Sequence, residues 1–209
     1  KRMDFGIVCA VDEEFSSLAE KIKIMASTHL AGKEFLVGQY QDFDVVVVKS
    51  GIGLINAAMT TSLLLHHFDP QWLLFSGIAG ALHEDLKVGH VLVASSAYQA
   101  EAMSHERLEA IWQMPALDKP ADSHLLSIAE SLYETCPYPI RTGVIISSDR
   151  YPAPKDYLQL VEKKPADAID MEAAGFYQVC QAFSKPGLCI RSFSNPVTNA
   201  EEEVLEGEN

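Results

Sequence analysis

Ala168-Ile169-Asp170-Met171-Glu172-Ala173-Ala174-Gly175-Phe176 brings a short apolar run to two carboxylates and then enters a small-residue stretch. Beyond Met171 the apolar residues Ala173, Phe176, Cys180 and Phe183 recur at three and four residues, which predicts a helix with one buried stripe. A strand that gives way to a helix, where such alternation recurs along the chain, points to an α/β fold. Glu172 has two readings at this point. Backbone N–H groups and the helix dipole favour a carboxylate at a helix start, so it fits a plain cap. It equally fits a site at a strand end.

Working outward, the same grammar recurs. Phe5-Gly6-Ile7-Val8-Cys9-Ala10-Val11 reads as a strand covered on both faces and runs into Asp12-Glu13-Glu14, after which Phe15, Leu18, Ala19 and Ile22 take helical spacing. Residues 34–40 and 43–49 flank a turn at Gln41-Asp42 and predict a hairpin. The second arm reaches Ser50-Gly51-Ile52-Gly53 before a helix predicted over 54–68. Trp72 to Ser76 predicts a strand that ends in a second glycine loop, Gly77-Ile78-Ala79-Gly80. Glycines in such turns let backbone N–H groups approach an anion or a sugar, although S-G-x-G alone is a weak signal. Further strands are predicted at Val91–Ala94, Gly143–Ser147 and Gly187–Arg191, and Asp122-Ser123 predicts the N-cap of a helix over 124–135 with His124 facing solvent. Residues 95–122 read as a long irregular segment. Ligands of α/β sheets collect at the loops that leave the strand ends.

Composition bounds the partners. The 209 residues are 48% hydrophobic and 22% charged, which suits one globular domain spanning 1–209. A net charge of -13, with no cluster of Lys and Arg, disfavours nucleic acid. No apolar run approaches a membrane span and no signal-peptide pattern precedes the first strand, so a cytoplasmic protein is expected. Cys9, Cys136, Cys180 and Cys189 lie in apolar surroundings without C-x-x-C spacing, favouring buried thiols over a disulfide or a zinc site; neither metal nor cofactor is expected.

Taken together, Ala10-Val11-Asp12-Glu13-Glu14, Lys49-Ser50-Gly51-Ile52-Gly53, Ser76-Gly77-Ile78-Ala79-Gly80, Lys87-Val88-Gly89-His90-Val91, Ser147-Ser148-Asp149 and Asp170-Met171-Glu172-Ala173-Ala174 resemble, in order, the methylthioadenosine/S-adenosylhomocysteine nucleosidases of the purine nucleoside phosphorylase family. The resemblance spans residues 6–195. It implies a three-layer α/β/α fold around a mixed twisted sheet, a purine nucleoside as small-molecule ligand and, commonly, a homodimer. It further implies Glu14 as the catalytic base toward water, Met171 and Glu172 on the ribose beside Asp170, Tyr151 stacked on the base, and Ile52 and Ile78 in the turns that border the pocket.

Three departures refine the expectation. Adenine-specific relatives carry Ser-Asp where this chain has Ser194-Asn195, and an amide cannot be a general acid. Pro152 follows the stacking aromatic and lacks the N–H that such relatives offer to the base. Both changes suit a 6-oxopurine, toward which Asn195 can donate at O6. The 5′ end is the third: only Pro115 matches the apolar pocket of methylthioadenosine enzymes, while His105 and Arg107 suit a polar or anionic substituent, as in futalosine-type nucleosides, and the same stretch also reads as a solvated loop. Between Arg2 and Arg107 there is no arginine to grip phosphate, which favours hydrolysis over phosphorolysis. A futalosine-type nucleosidase, a purine nucleoside phosphorylase and a non-catalytic nucleoside-binding or storage protein stand as alternatives. Relatives continue after Asn195 into a long closing helix, whereas this chain shows only Ala200–Asn209 there, so that helix is expected to be missing.

Overall fold

A computed structural model describes residues 2–105, 118–150, 161 and 164–196, with the side chains of 103–105 and 194–196 outside the description. In chain order the elements are β1 (Phe5–Cys9), α1 (Asp12–Ala19), β2 (Lys23–Leu30), β3 (Lys33–Tyr40), β4 (Phe43–Lys49), α2 (Leu54–Phe68), β5 (Trp72–Ala81), β6 (Val91–Gln99), β7 (Lys119–Pro120), α3 (Ser123–Ser131), β8 (Ile140–Ser147), β9 (Ala168–Asp170), α4 (Ala173–Ala182) and β10 (Gly187–Pro196). Short 3₁₀ turns follow β6 and α3.

The strands form one mixed sheet in the order β10-β6-β8-β9-β5-β1-β4-β3-β2, and β10 pairs with β5 as well, so β5, β9, β8, β6 and β10 close into a ring. β1 lies parallel to both β4 and β5, whereas β9 runs antiparallel to β5. Period-two alternation assigns the faces. Leu73 and Phe75 join the core cluster that holds Leu64 of α2 and Phe176 of α4, while Trp72 and Leu74 pack with Val93, Leu188 and Leu125 of α3. Helices therefore cover the sheet from both faces, the mixed α/β architecture that the sequence predicts.

The predicted helix over 54–68 is observed with those bounds, and Asp122 does cap its helix, accepting from Leu125 N at 2.9 Å. That helix stops at Ser131, short of the predicted Thr135. The expected loop at Gly77–Gly80 is corrected: these residues continue β5 to Ala81, because β10 pairs with them, from Arg191 opposite Gly77 to Pro196 opposite Ala81. β6 likewise runs on to Gln99 alongside β8, inside the stretch expected to be irregular. β2 was not foreseen; nearly all of it is exposed, and only hydrogen bonding to β3 identifies it as a strand.

Candidate functional site

The site follows from how β5 exchanges neighbours. β1 accompanies β5 only as far as Phe75, and β9 joins it only at Gly80. Between those points no described strand pairs with the β1-side edge of β5, and an open edge offers backbone groups that need partners. Glu14 supplies one. At the third position of α1 it reaches back to accept from Ala10 N at 2.7 Å and Val11 N at 3.2 Å, as acidic residues there do, and its other oxygen accepts from Ile78 N at 3.1 Å. The acidic triplet thereby divides: Asp12 pairs with Lys49, Glu13 is exposed, and Glu14 alone enters the gap.

Glu172 faces the same gap from the β9–α4 junction. It sits at the N-cap position of α4 yet makes no side-chain cap, so the plain helix-cap reading fails. The cap is made by others: Ala173 N donates to Asp170 at 2.9 Å and Ala174 N to Ser147 Oγ at 3.0 Å. Glu172 is left to accept from Gly53 N at 3.2 Å and from Arg191 Nη2 at 3.4 Å. Burial, and then the neighbouring Asp170 carboxylate, push its pKa up to about 7, against Arg191 and the Gly53 N–H, which favour the ionised form.

Arg191 is the group that sequence reading missed. Its side chain is wholly buried, donates from Nε and Nη2 to Asp170 at 3.1 and 2.6 Å, and lies over the Phe75 ring at 4.5 Å from the centroid. Its Nη1 is buried without a hydrogen-bond partner among the described residues. Gly77 explains where that nitrogen points, since a Cβ there would stand 2.3 Å from Arg191 Nη1 and 3.0 Å from Glu14 Oε1. Glutamate, guanidinium and glycine thus converge on one small space. The available signal was a lone charge in the apolar run Gly187–Phe193.

Asp170, expected among the ligand contacts, is hydrogen-bonded within the protein. Its oxygens serve Ser147, Arg191 and Ala173, and its side chain has no exposed surface. Met171 is half-buried beside Glu172. Ile78 lies on the open stretch of β5 and Ile52 directly precedes Gly53; they are 49% and 53% exposed. Asn195 lies on β10 with its backbone paired to Gly80; its side chain, and the whole of Arg107, Pro115, Tyr151 and Pro152, lie outside the described residues, as does 197–209. Cys9, Cys180 and Cys189 are buried free thiols, Cys136 is a half-buried one, and among the described residues no group of acidic, His or Cys side chains is arranged to hold a metal. His124 is exposed, as expected, and no helix among the described residues is long and apolar enough to cross a membrane.

A family model described as the phosphorylase superfamily matches residues 4–209. Among similar proteins, the 5′-methylthioadenosine/S-adenosylhomocysteine nucleosidase of Bacillus pumilus is 32% identical over 198 residues, covering 92% of this chain and 86% of the relative. That of Bacillus velezensis is 32% identical over 207 residues, covering 97% and 89%. Two solved structures from Helicobacter pylori superpose with a TM-score of 0.86. The futalosine hydrolase is 28% identical, covering 98% of this chain and 90% of that one. The methylthioadenosine/S-adenosylhomocysteine nucleosidase bound to butyl-thio-DADMe-Immucillin-A is 27% identical, covering 99% and 90%. With the fold, the order of the motifs and these likenesses in agreement, the chain belongs to the phosphorylase superfamily, in its methylthioadenosine/S-adenosylhomocysteine nucleosidase branch.

Proposed function

We propose that the protein is a purine nucleoside N-glycosidase, a hydrolase that cleaves the ribose–purine bond with water, and that the whole chain acts as one domain. The observation that carries this reading is the convergence of Glu14 and the unpartnered Nη1 of Arg191 on Gly77, beside the buried Glu172. A purine leaves ribose through an oxocarbenium-like state, which needs a nucleophile activated by a base and negative charge near the sugar. A water held between Glu14 and Arg191 loses its proton to Glu14 as its oxygen bonds to the anomeric carbon, while the bond to the purine breaks with its electron pair going to the base, which takes up a proton from solvent. Ionised Glu172 accepts from the ribose 2′ and 3′ hydroxyls, with Met171 against the sugar, and stabilises the developing cation. Arg191 and the Gly53 N–H keep that carboxylate available.

Water rather than phosphate is the nucleophile in this reading. The first two N–H groups at the start of α2 already serve the carboxylates of Glu172 and Asp149, and a phosphate there would meet two negative charges. Arg191 commits its Nε and Nη2 to Asp170 and Glu172 and has only Nη1 left, which cannot grip a phosphate in bidentate fashion.

We assign base recognition to Tyr151, Pro152 and Asn195, with a 6-oxopurine preferred to adenine, and the 5′ end to Ile52, Ile78, Arg107 and Pro115. The likeness to a futalosine hydrolase favours a second reading, in which the 5′ group is polar or anionic and Arg107 meets it. A homodimer in the cytoplasm completes the proposal. The exposed Ile52, Ile55 and Met59, spaced along the start of α2, support the dimer, and the buried free thiols support a reducing compartment.

Incubation with inosine, methylthioadenosine and futalosine, followed by measurement of free base, tests the reading. Base should be released, hypoxanthine faster than adenine, and Glu14→Gln should abolish release while ligand still binds. Binding without release from any of the three would leave a nucleoside-binding protein. Faster adenine release would overturn the assignment of Asn195 and Pro152.

A further inference from the structure

α2 begins without a cap of its own. Its N-cap residue is Gly53, and its first turn holds no acidic side chain, although the orphan N–H groups and dipole of a 15-residue helix call for an acceptor there. Two carboxylates from distant parts of the chain supply it. Gly53 N donates to Glu172, and Leu54 N donates to Asp149 Oδ1 at 2.7 Å, across 95 residues of sequence. Gly53 adopts φ +106°, which favours glycine, and a Cβ there would stand 3.0 Å from Asp149 Oδ1. The turn is thus shaped to admit the Asp149 carboxylate.

We propose that Asp149 is a positioning residue: by pinning the first turn of α2 it holds the Gly53 N–H on Glu172, and it ties that carboxylate to the end of β8, two residues before Tyr151. The inference rests on the reading of Glu172 as the ribose-binding group. Asp149 makes no contact with Glu172 itself, so it acts through Gly53.

Among the described residues, few charged groups face Glu172. Asp170 comes from β9, Arg191 from β10 and, with a smaller effect, Glu14 from α1; α2 contributes only its backbone N–H. Releasing the α2 turn removes one of the two donors that, among the described residues, favour the ionised carboxylate. The Glu172 titration must then move up, and ribose binding must weaken.

The test compares Asp149→Ala and Asp149→Asn with the parent protein, by carbon-13 NMR titration of the Glu172 carboxyl in the free protein and by KM and kcat for the nucleoside that the parent cleaves. Asp149→Ala should raise the Glu172 midpoint by at least about half a pH unit. It should raise KM roughly tenfold, in proportion to the loss of a helix cap, with kcat changed less. Asp149→Asn, whose amide oxygen can still accept from Leu54 N, should restore both. Lower thermal stability with an unchanged Glu172 midpoint and KM would make Asp149 an ordinary cap and overturn the proposal; so would an asparagine variant no better than alanine. If the parent protein cleaves no nucleoside, the hydrolase reading fails, while the NMR titration still decides the tether.

Discussion

Replacing Glu172 by glutamine exchanges a buried carboxylate for a neutral amide of nearly the same shape, and its effect on stability must depend on pH. Burial, with Asp170 beside it, raises the carboxyl from its usual value of 4.5 to about 7. Between those two values the folded protein holds a proton that the unfolded chain releases, so the parent protein loses stability as pH rises through that window. With each unit worth about 1.36 kcal/mol, the loss amounts to about 3 kcal/mol by pH ~8. Glutamine does not titrate and escapes that loss. Its amide carries a separate cost, because one oxygen cannot accept from both Gly53 N and Arg191 Nη2 and its NH₂ group faces the other donor. That cost is constant over the range, so the slope is the test. Urea unfolding of both proteins between about pH 5 and pH 8 should show the variant gaining on the parent by about 2.5 kcal/mol, at equal m-values. A stability difference that stays flat with pH would refute the account of Glu172 as a carboxylate held at the site against its own solvation. The parent's kcat/KM should correspondingly fall below about pH 7 as Glu172 takes up its proton.

Arg191→Leu leaves Asp170 and Glu172 buried without their cation and should cost about 3–5 kcal/mol, lowering Tm by roughly 10 °C in a thermal melt; a loss under about 1 kcal/mol would mean that water replaces the guanidinium. Gly77→Ala puts a methyl group 2.3 Å from Arg191 Nη1. It should destabilise by about 1–3 kcal/mol and cut kcat about a hundredfold, whereas undiminished turnover would show that the water seat lies elsewhere. Asn195→Asp restores a group able to protonate a leaving adenine, and adenine release should rise by about 10²–10⁴; no change would remove Asn195 from the chemistry at the base.

Segments whose character is set by residues close in sequence were legible. The helix over 54–68, the hairpin at Gln41-Asp42 and the Asp122 cap follow from periodicity, turn chemistry and capping, all local effects. The strands β5, β6 and β10 outrun their apolar centres because pairing with neighbours, not composition, extends them through Gly77–Ala81, Ser95–Gln99 and Ser192–Pro196. β2 has almost no buried face and hence no hydrophobic pattern to read.

The candidate site divides along the same line. From the sequence came the carboxylates, Glu14 and Glu172, as acidic residues at strand-to-helix turns, together with the open choice between cap and function for Glu172. The tertiary structure closed that choice, by giving the cap to Asp170 and Ser147 and turning Glu172 toward Gly53 and Arg191. It also bound Asp170 to Ser147, Ala173 and Arg191, and so brought in Arg191. Sequence by itself determines which groups are present and which helix or strand each begins. Which carboxylate is spent on structure and which is left for a ligand depends on where β5 parts from β1, and that point exists only once strands distant in the chain have paired.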